Sequence, residues 1–471
     1  MTDRFESPLA TRYASQRMTS LFSQDNRYRT WRLLWAVLAR TEMELGLPIS
    51  EEQVNELFAH IDDIDYEAVR QREKEVRHDV MAHVWVYGKA APSASGIIHL
   101  GATSCYVTDN ADLIIYRDAL SLIREETVEL MKCLSGFAER YKDLPVLGYT
   151  HYQPAQPVTV GKRTSLWLQD ILEDLTESDQ VLGGMKFLGS RGATGTEASY
   201  MELFDGDGEK IDEMNSRIAK QFGFSECYPV CGQTYPRKLD SRILNVLSDI
   251  AQSCYKMAQD IRLLQHDRFI EEPFGEDQIG SSAMAYKRNP MRCERICSLA
   301  RYLMTLPADA SMTAATQFLE RTLDDSAGRR IVIPEAFLCA DAVLRLACSV
   351  ISGLTVNEKV IYRTLREYLP FMATENILME GVRRGGDRQE LHEHIRRHSM
   401  EAVRARNDGK EYDLLGAIAD DDVFRMTREE LADVLDPALF TGRSSEQVTA
   451  FLDKIKPLIS GDTDIDYDIE V

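Results

Sequence analysis

Residues 280–290 read Gly-Ser-Ser-Ala-Met-Ala-Tyr-Lys-Arg-Asn-Pro, a run whose residue types can do chemistry. Ser281 and Ser282 offer hydroxyls that become a nucleophile or base once a proton is lost, and Lys287 follows closely. Asn289 is a good N-cap residue and Pro290 suits a first helical position, which predicts a helix beginning here. Exposed N–H groups and the dipole at such a helix end favour an anion, and the lysine adds a full positive charge. A nucleophile or base would then lie beside an anion cradle.

His151 is the second candidate. It lies in Gly148-Tyr149-Thr150-His151-Tyr152-Gln153-Pro154-Ala155-Gln156-Pro157, whose two prolines and lack of periodicity predict a rigid loop between two long helices. A histidine held on such a loop can serve as an acid or base, although a plain surface histidine fits the same pattern. Arginines form the third set: Arg12, Arg77 beside His78, Arg295 after the serine run, and Arg321, Arg329 and Arg330 around Asp324-Asp325-Ser326-Ala327-Gly328. Singly each reads as a surface residue. Together they suit a substrate bearing a phosphate and two carboxylates, because a guanidinium binds such oxygens two at a time.

Other patterns dissolve on inspection. His78 and His83 lack the glutamate that a zinc-protease helix needs. His392, His394 and His398 alternate with Arg396 and Arg397, which would repel a cation, so they read as a solvated helix face. Cys227 with Cys231 and Cys293 with Cys297 are not zinc-knuckle spacings and read as structural cysteines. Gly189–Gly195 imitates a nucleotide loop without a preceding strand, and Gly161-Lys162-Arg163-Thr164 has Gln156 where a P-loop needs its first glycine.

The elements that must position these groups are helices. Ile243, Leu247, Ile250, Cys254, Met257, Ile261 and Leu264 alternate four and three residues apart, as do Tyr116, Leu120, Ile123, Thr127, Leu130, Leu134, Phe137 and Tyr141. Further stripes run through Leu168, Ile171, Leu175 and Leu182, and through Ile296, Leu299 and Leu303. No convincing βαβ unit is present, so the expected class is all-α. Three regions are expected: an N-terminal helical domain over 1–104, a central long-helix bundle over 105–355 carrying the serine loop, and a C-terminal helical domain over 356–471. Linkers with Gly and Pro are expected at 144–157, 183–208, 223–236 and 271–290. Helices this long often bury their seams against other copies, which predicts a homo-oligomer.

With 44% hydrophobic and 28% charged residues the chain reads as an ordinary soluble globular protein. It has no apolar run of the roughly 18–20 residues that span a bilayer and no signal-peptide pattern, and nine cysteines lack disulfide-like spacing. A cytoplasmic protein without membrane contact is expected. A net charge of −21 argues against general nucleic-acid binding and makes the local arginine clusters more telling. The acidic end, Gly461 to Asp468, reads as a solvated tail.

The serine run resembles the signature of the fumarase/aspartase superfamily, Gly-Ser-Ser-x-Met-Pro-x-Lys-x-Asn-Pro, whose members eliminate fumarate from substituted succinates. Ala285 stands where that signature carries proline, which predicts a more flexible loop. Within the superfamily, five segments are similar to adenylosuccinate lyases, closest to the animal type. They are Ser7-Pro8-Leu9-Ala10-Thr11-Arg12-Tyr13, Arg77-His78-Asp79-Val80, His99-Leu100-Gly101-Ala102-Thr103-Ser104, Cys231-Gly232-Gln233-Thr234-Tyr235-Pro236-Arg237-Lys238 and the Lys-Arg-Asn-Pro ending. The resemblance covers roughly residues 5–400.

It implies a fumarase/aspartase-like fold whose bundle forms a core of about 20 helices in a homotetramer, with active sites shared between subunits and no cofactor or metal. It implies cleavage of adenylosuccinate to AMP and fumarate, and of the succinylated carboxamide ribotide SAICAR to AICAR and fumarate. By position it makes Ser281 the base and His151 the general acid. Arg12, Tyr13, Arg321, Ser326 and Arg330 become phosphate contacts, and Arg77, His78 and Asp79 line the nucleotide site. His78 would also hold His151 in its working orientation. Thr103, Ser104, Gln233, Lys287 and Asn289 grip the carboxylates, and Arg295 touches ribose or base. Argininosuccinate lyase or another fumarate-releasing lyase is the alternative within the superfamily, and a non-catalytic structural protein on the same bundle is the alternative outside it.

Overall fold

Apolar residues spaced three and four apart are buried together only when the helices carrying them lie side by side. The computed structural model, which describes residues 5–275, 278–284, 286–433, 435–461 and 465–467, has that arrangement. Its principal elements are α1 (Gln24–Glu44), α2 (Tyr66–Val76), α3 (Asp79–Ala90), α4 (Ser104–Arg140), β1 (Pro145–Thr150), β2 (Gln153–Thr159), α5 (Val160–Gly183) and α6 (Lys238–His266). These are followed by β3 (Ile270–Glu271), α7 (Met291–Leu303), α8 (Asp325–Ser352), β4 (Thr355–Val356), α9 (Glu358–Met372), α10 (Arg388–Asn407), α11 (Leu414–Ala419) and α12 (Ser444–Ile455). Every seam residue from Ile243 to Leu264 is buried on α6, and those from Tyr116 to Phe137 are buried on the 37-residue α4.

Helices α4, α5, α6, α7 and α8 pack on one another as the bundle. One apolar core runs from Leu9 to Leu369 and takes in Ile455 of α12. A second core, Ala373 to Leu431, is built from the segments around α10 and α11. Starts follow local chemistry: Ser23, Thr159 and Asp387 each accept a hydrogen bond from a first-turn N–H of α1, α5 and α10. Gly161 shows why no phosphate loop forms there. A Cβ on it would meet the Ala138 carbonyl at 2.3 Å and Lys142 Cα at 2.6 Å, so α5 crosses the end of α4 at backbone distance.

Two expectations are corrected. The loop at 144–157 is largely a hairpin, β1 pairing antiparallel with β2, because Pro154 and Pro157 do not prevent an isolated two-stranded ribbon. The second sheet is the short pair β3–β4. The acidic end is not wholly solvated: Ile465 and Tyr467 pack on the main core, and Arg345 Nε donates to the Asp466 carbonyl at 2.7 Å. Residues 462–464 and 468, and Ala285 with its expected effect on the loop, lie outside the described residues. No described helix is long and apolar enough to cross a membrane.

Between α5 and α6, burial pushes the Asp174 carboxyl up to about 7, against a hydrogen bond from Ser253 and with Asp249, Asp170 and Glu177 adding to the rise. The folded chain thus keeps a proton that the unfolded chain releases above about pH 4, so stability from this group falls as pH rises from there to about 7. Asp174→Asn removes that loss. Its urea midpoint is expected to gain on the wild type as pH goes from 5 to 8, and a constant difference would show that Asp174 stays ionised.

Candidate active site

Asp109 and Asp112 lie in the opening turns of α4, Arg237 and Asp240 at the start of α6, and Asp325 and Arg329 at the start of α8. The three helices therefore begin at one place. Arg237 donates to both Asp109 oxygens, at 2.9 and 3.2 Å, and to Asp325 at 2.7 Å. Arg329 donates to Asp240 at 2.7 Å and to Asp112 at 3.1 Å, and the Tyr235 hydroxyl joins it to Asp240. Burial alone would depress the Arg237 guanidinium, but Asp109 and its neighbours outweigh it and hold the group above the usual arginine range. Burial would likewise raise Asp325, yet Arg237 and Arg321 hold it below the usual carboxylate range.

A cavity of about 430 Å³ opens on this network. It gathers Arg77, His78, Asp79, Ser104, Gln233, Arg321, Ser326 and Arg330 from the sequence-derived set. Arg77 ends α2 in the left-handed conformation, φ 53°, and His78 caps α3, so this triplet is presented by a tight helix–helix corner. His78 Nε2 faces Ser104 Oγ at 3.3 Å, and Thr103 is the N-cap residue just before it. Arg330 reaches Asp79 at 3.1 Å and Arg321 reaches Asp325 at 2.8 Å. Gln233 donates to the Ala193 carbonyl at 3.0 Å. The nearby glycine run is a packing device: Gly195, φ 82°, lies so close to Cys231 that a Cβ would strike its carbonyl.

Sequence reasoning left out cavity residues such as Arg27, Trp31, Asp109 and Asp112. Arg27 and Trp31 sit four apart on α1, a spacing that marks a shared face but not what it meets.

The other assigned residues lie elsewhere in the chain. Arg12 and Arg295 both stand over the Tyr13 ring, at 5.7 and 5.8 Å, forming a cluster outside the cavity lining. His151 and Tyr152 form the two-residue tip of the β1–β2 hairpin with φ of 53° and 56°. Such a turn needs two left-handed residues and is usually Asn-Gly, so a histidine held there carries strain on the order of 1 kcal/mol. His151 is exposed, and His78 bonds Ser104 and Met81 rather than His151 within one chain.

Ser281 Oγ accepts the N–H groups of Ala283 and Met284 at 3.3 and 3.1 Å, a setting that favours negative charge on that oxygen. Lys287 is exposed and, among the described residues, in no ion pair. The expected anion cradle is corrected. Helix α7 begins at Met291, and Asn289 donates instead to the Gly280 carbonyl at 2.7 Å, closing the neck of the loop. The first-turn N–H groups of Arg292 and Cys293 are taken, at 3.0 Å each, by the buried carboxylate of Glu272. An anion does sit at this helix end, but it is the protein's own.

The remaining histidines divide. His83 is packed on Tyr28 and Trp31, and burial with Arg32 pushes it down to about 4, so it is a neutral core residue. The expected solvated face at His394 and His398 is corrected: both rings bond Asp421 and are largely shielded.

A family model described as Lyase matches residues 14–304, and one described as Adenylosuccinate lyase C-terminus matches residues 370–451. The structure is similar to a 3-carboxy-cis,cis-muconate lactonizing enzyme from Pseudomonas putida, with TM-score 0.85 at 23% identity over 96% of this chain and 99% of that one. It is also similar to a fumarate lyase from Mesorhizobium sp. BNC1, with TM-score 0.80 at 23% identity over 94% and 98%. These likenesses show the fold, and the Lyase family model, which matches more than half of the chain, makes it a member of that lyase family.

The sequence is 49% identical over 456 residues to adenylosuccinate lyase of Saccharomyces cerevisiae, covering 96% of this chain and 95% of that protein. It is 50% identical over 454 residues to that of Schizosaccharomyces pombe (96% and 94%) and 45% over 461 to that of Schistosoma mansoni (97% and 96%). The chain belongs to the adenylosuccinate lyase family.

Glu272 pins the base of the serine loop, and its removal tests that role. Glu272→Ala leaves two first-turn N–H groups unpaired, with an expected loss of about 2 kcal/mol of stability and at least tenfold in kcat. Glu272→Gln, able to accept one of the two bonds, is expected to fall between. Wild-type turnover in both variants would remove Glu272 from loop positioning.

Proposed function

We propose that the chain is a C–N lyase that eliminates fumarate from adenylosuccinate, leaving AMP, and from SAICAR, leaving AICAR. The observation that carries this is identity of 49–50% to two adenylosuccinate lyases along 96% of the chain. The adenylosuccinate lyase C-terminus at residues 370–451 favours this substrate over argininosuccinate.

Ser281, as the alkoxide left when its own proton is lost or relayed on loop closure, takes the proton from the succinyl carbon next to the one bonded to nitrogen. The electron pair delocalises into the adjoining carboxylate, then forms the fumarate double bond as C–N breaks. His151 protonates the departing nitrogen from the opposite face as general acid. Two N–H groups on Ser281 Oγ support its choice over Ser282, and Lys287 adds the charge that an alkoxide and a developing dianion need. Arg321, Ser326 and Arg330, with Arg12 and Tyr13, bind phosphate. Arg77, His78, Asp79 and Arg295 hold the nucleotide, and Thr103, Ser104, Gln233 and Asn289 hold the carboxylates.

The working form is a homotetramer with shared sites. Support comes from placement: the arginine cavity has neither His151 nor Ser281 in its lining, and both lie on projecting segments beside exposed Tyr152 and Tyr286. The division at residues 104 and 355 and a cytoplasmic location complete the reading; the latter is supported by nine free cysteines.

Purified chain is expected to release fumarate from adenylosuccinate and not from argininosuccinate, and the reverse would overturn the substrate. Ser281→Ala and His151→Ala are each expected to lower kcat by at least a thousandfold with the assembly intact. Mixed and allowed to exchange subunits, the two dead variants should recover about a quarter of wild-type activity, the share of sites drawing each intact residue from a different copy. No recovery after proven exchange would place both groups on one subunit.

A further inference from the structure

Helix α10 carries His394 and His398 four residues apart, so both imidazoles stand on one side of it. Facing them is Asp421, in the turn that follows α11 (Leu414–Ala419). Both rings aim at one oxygen: His394 Nδ1 lies 2.7 Å and His398 Nε2 2.8 Å from Asp421 Oδ2. One donor atom from each residue lies within 4.8 Å of the others. The side chains are 24%, 12% and 14% exposed, shielded but open on the His394 side. The carboxylate is oriented from behind, where Oδ1 accepts the Val423 N–H at 3.4 Å.

Two imidazoles and a carboxylate converging from two chain segments are the donor set that zinc and its first-row neighbours take, whereas magnesium and calcium prefer oxygen alone. We propose that His394, His398 and Asp421 form a binding site for a divalent transition-metal ion, with Zn²⁺ the best match, outside the elimination chemistry. Coordination requires the donors to part to roughly 3.3 Å around a tetrahedral ion, a shift within reach of side-chain rotation. Water fills the fourth position from the open side.

The neighbouring cations do not forbid it. Arg396 is drawn away by Glu393, at 2.8 and 2.6 Å. Arg397 does touch the group, at 3.2 Å from His394 Nδ1 and 3.3 Å from Asp421 Oδ2, but its side chain is 53% exposed. An exposed pair of this kind is a weak competitor for a metal, and the arginine can turn to solvent. Among the described residues His398 Nδ1 is buried without a partner, so it is free to carry the ring proton when Nε2 exchanges its bond to Asp421 for the ion. The ion would tie α10 to the turn after α11 within the second core, and binding to the folded form alone raises stability by mass action.

The test uses untagged full-length protein stripped with chelator and titrated with ZnCl₂ by calorimetry. One site of micromolar or tighter Kd per chain and a Tm that rises with Zn²⁺ but not Mg²⁺ are expected. His398→Ala and Asp421→Asn are each expected to weaken Zn²⁺ binding at least tenfold and abolish the Tm rise. Co²⁺ should give the visible bands of a four-coordinate ion in the wild type only. Should His398→Ala fail to fold, His394→Ala, on the more open side, gives the same readings. Superimposable Zn²⁺ isotherms for wild type and a folded variant, or no micromolar site in the wild type, would overturn the proposal.

Discussion

Everything about the candidate site rests on a buried set of Asp–Arg pairs at the point where three long helices begin. Arg237 and Arg329 are nearly without water, and each is matched by two carboxylates from other helices. Taking such charges out of water is costly unless each is paired, so the arrangement tolerates little displacement. Its effect is to lock the starts of α4, α6 and α8 in one register. The same ends supply N–H dipoles and the rim of the cavity, so scaffold and binding surface are one structure.

Around that fixed point the reactive segments are held differently. The serine loop leaves β3 and returns to α7, and Glu272 ties the two sides by accepting both first-turn N–H groups of the helix. Asn289 closes the neck above it. The loop is therefore pinned at its base, while its described residues 282–284 and 286–288 are exposed. His151 is carried, exposed, on a turn that favours glycine at the tip of the hairpin. Exposed groups of this kind do little for an isolated chain. In the proposed tetramer a second copy would supply the cavity that these groups face.

Much of the helical frame was legible in the sequence. Seams such as Ile243 to Leu264 are read from spacing alone, because burial of a helix face depends on local periodicity. The hairpin was missed since its prolines, Pro154 and Pro157, read as loop residues, and an isolated ribbon tolerates proline where a wide sheet does not. The same local logic misplaced the anion at α7. Asn289 and Pro290 have the right types for a cap, but Glu272, eighteen residues before Pro290, took the N–H groups first.

By itself, then, the sequence determined the helical class, the serine loop, the family and which residue types are available for acid, base and anion contacts. These are properties of near neighbours along the chain and of side-chain chemistry. Only the tertiary structure decided which charges are spent on the scaffold and which face the cavity. Asp109, Arg237 and Asp325 find one another across more than two hundred residues of chain, as His394 and His398 find Asp421 across a helix and a turn. Pairing of that kind is set by how helices pack, which no local spacing records.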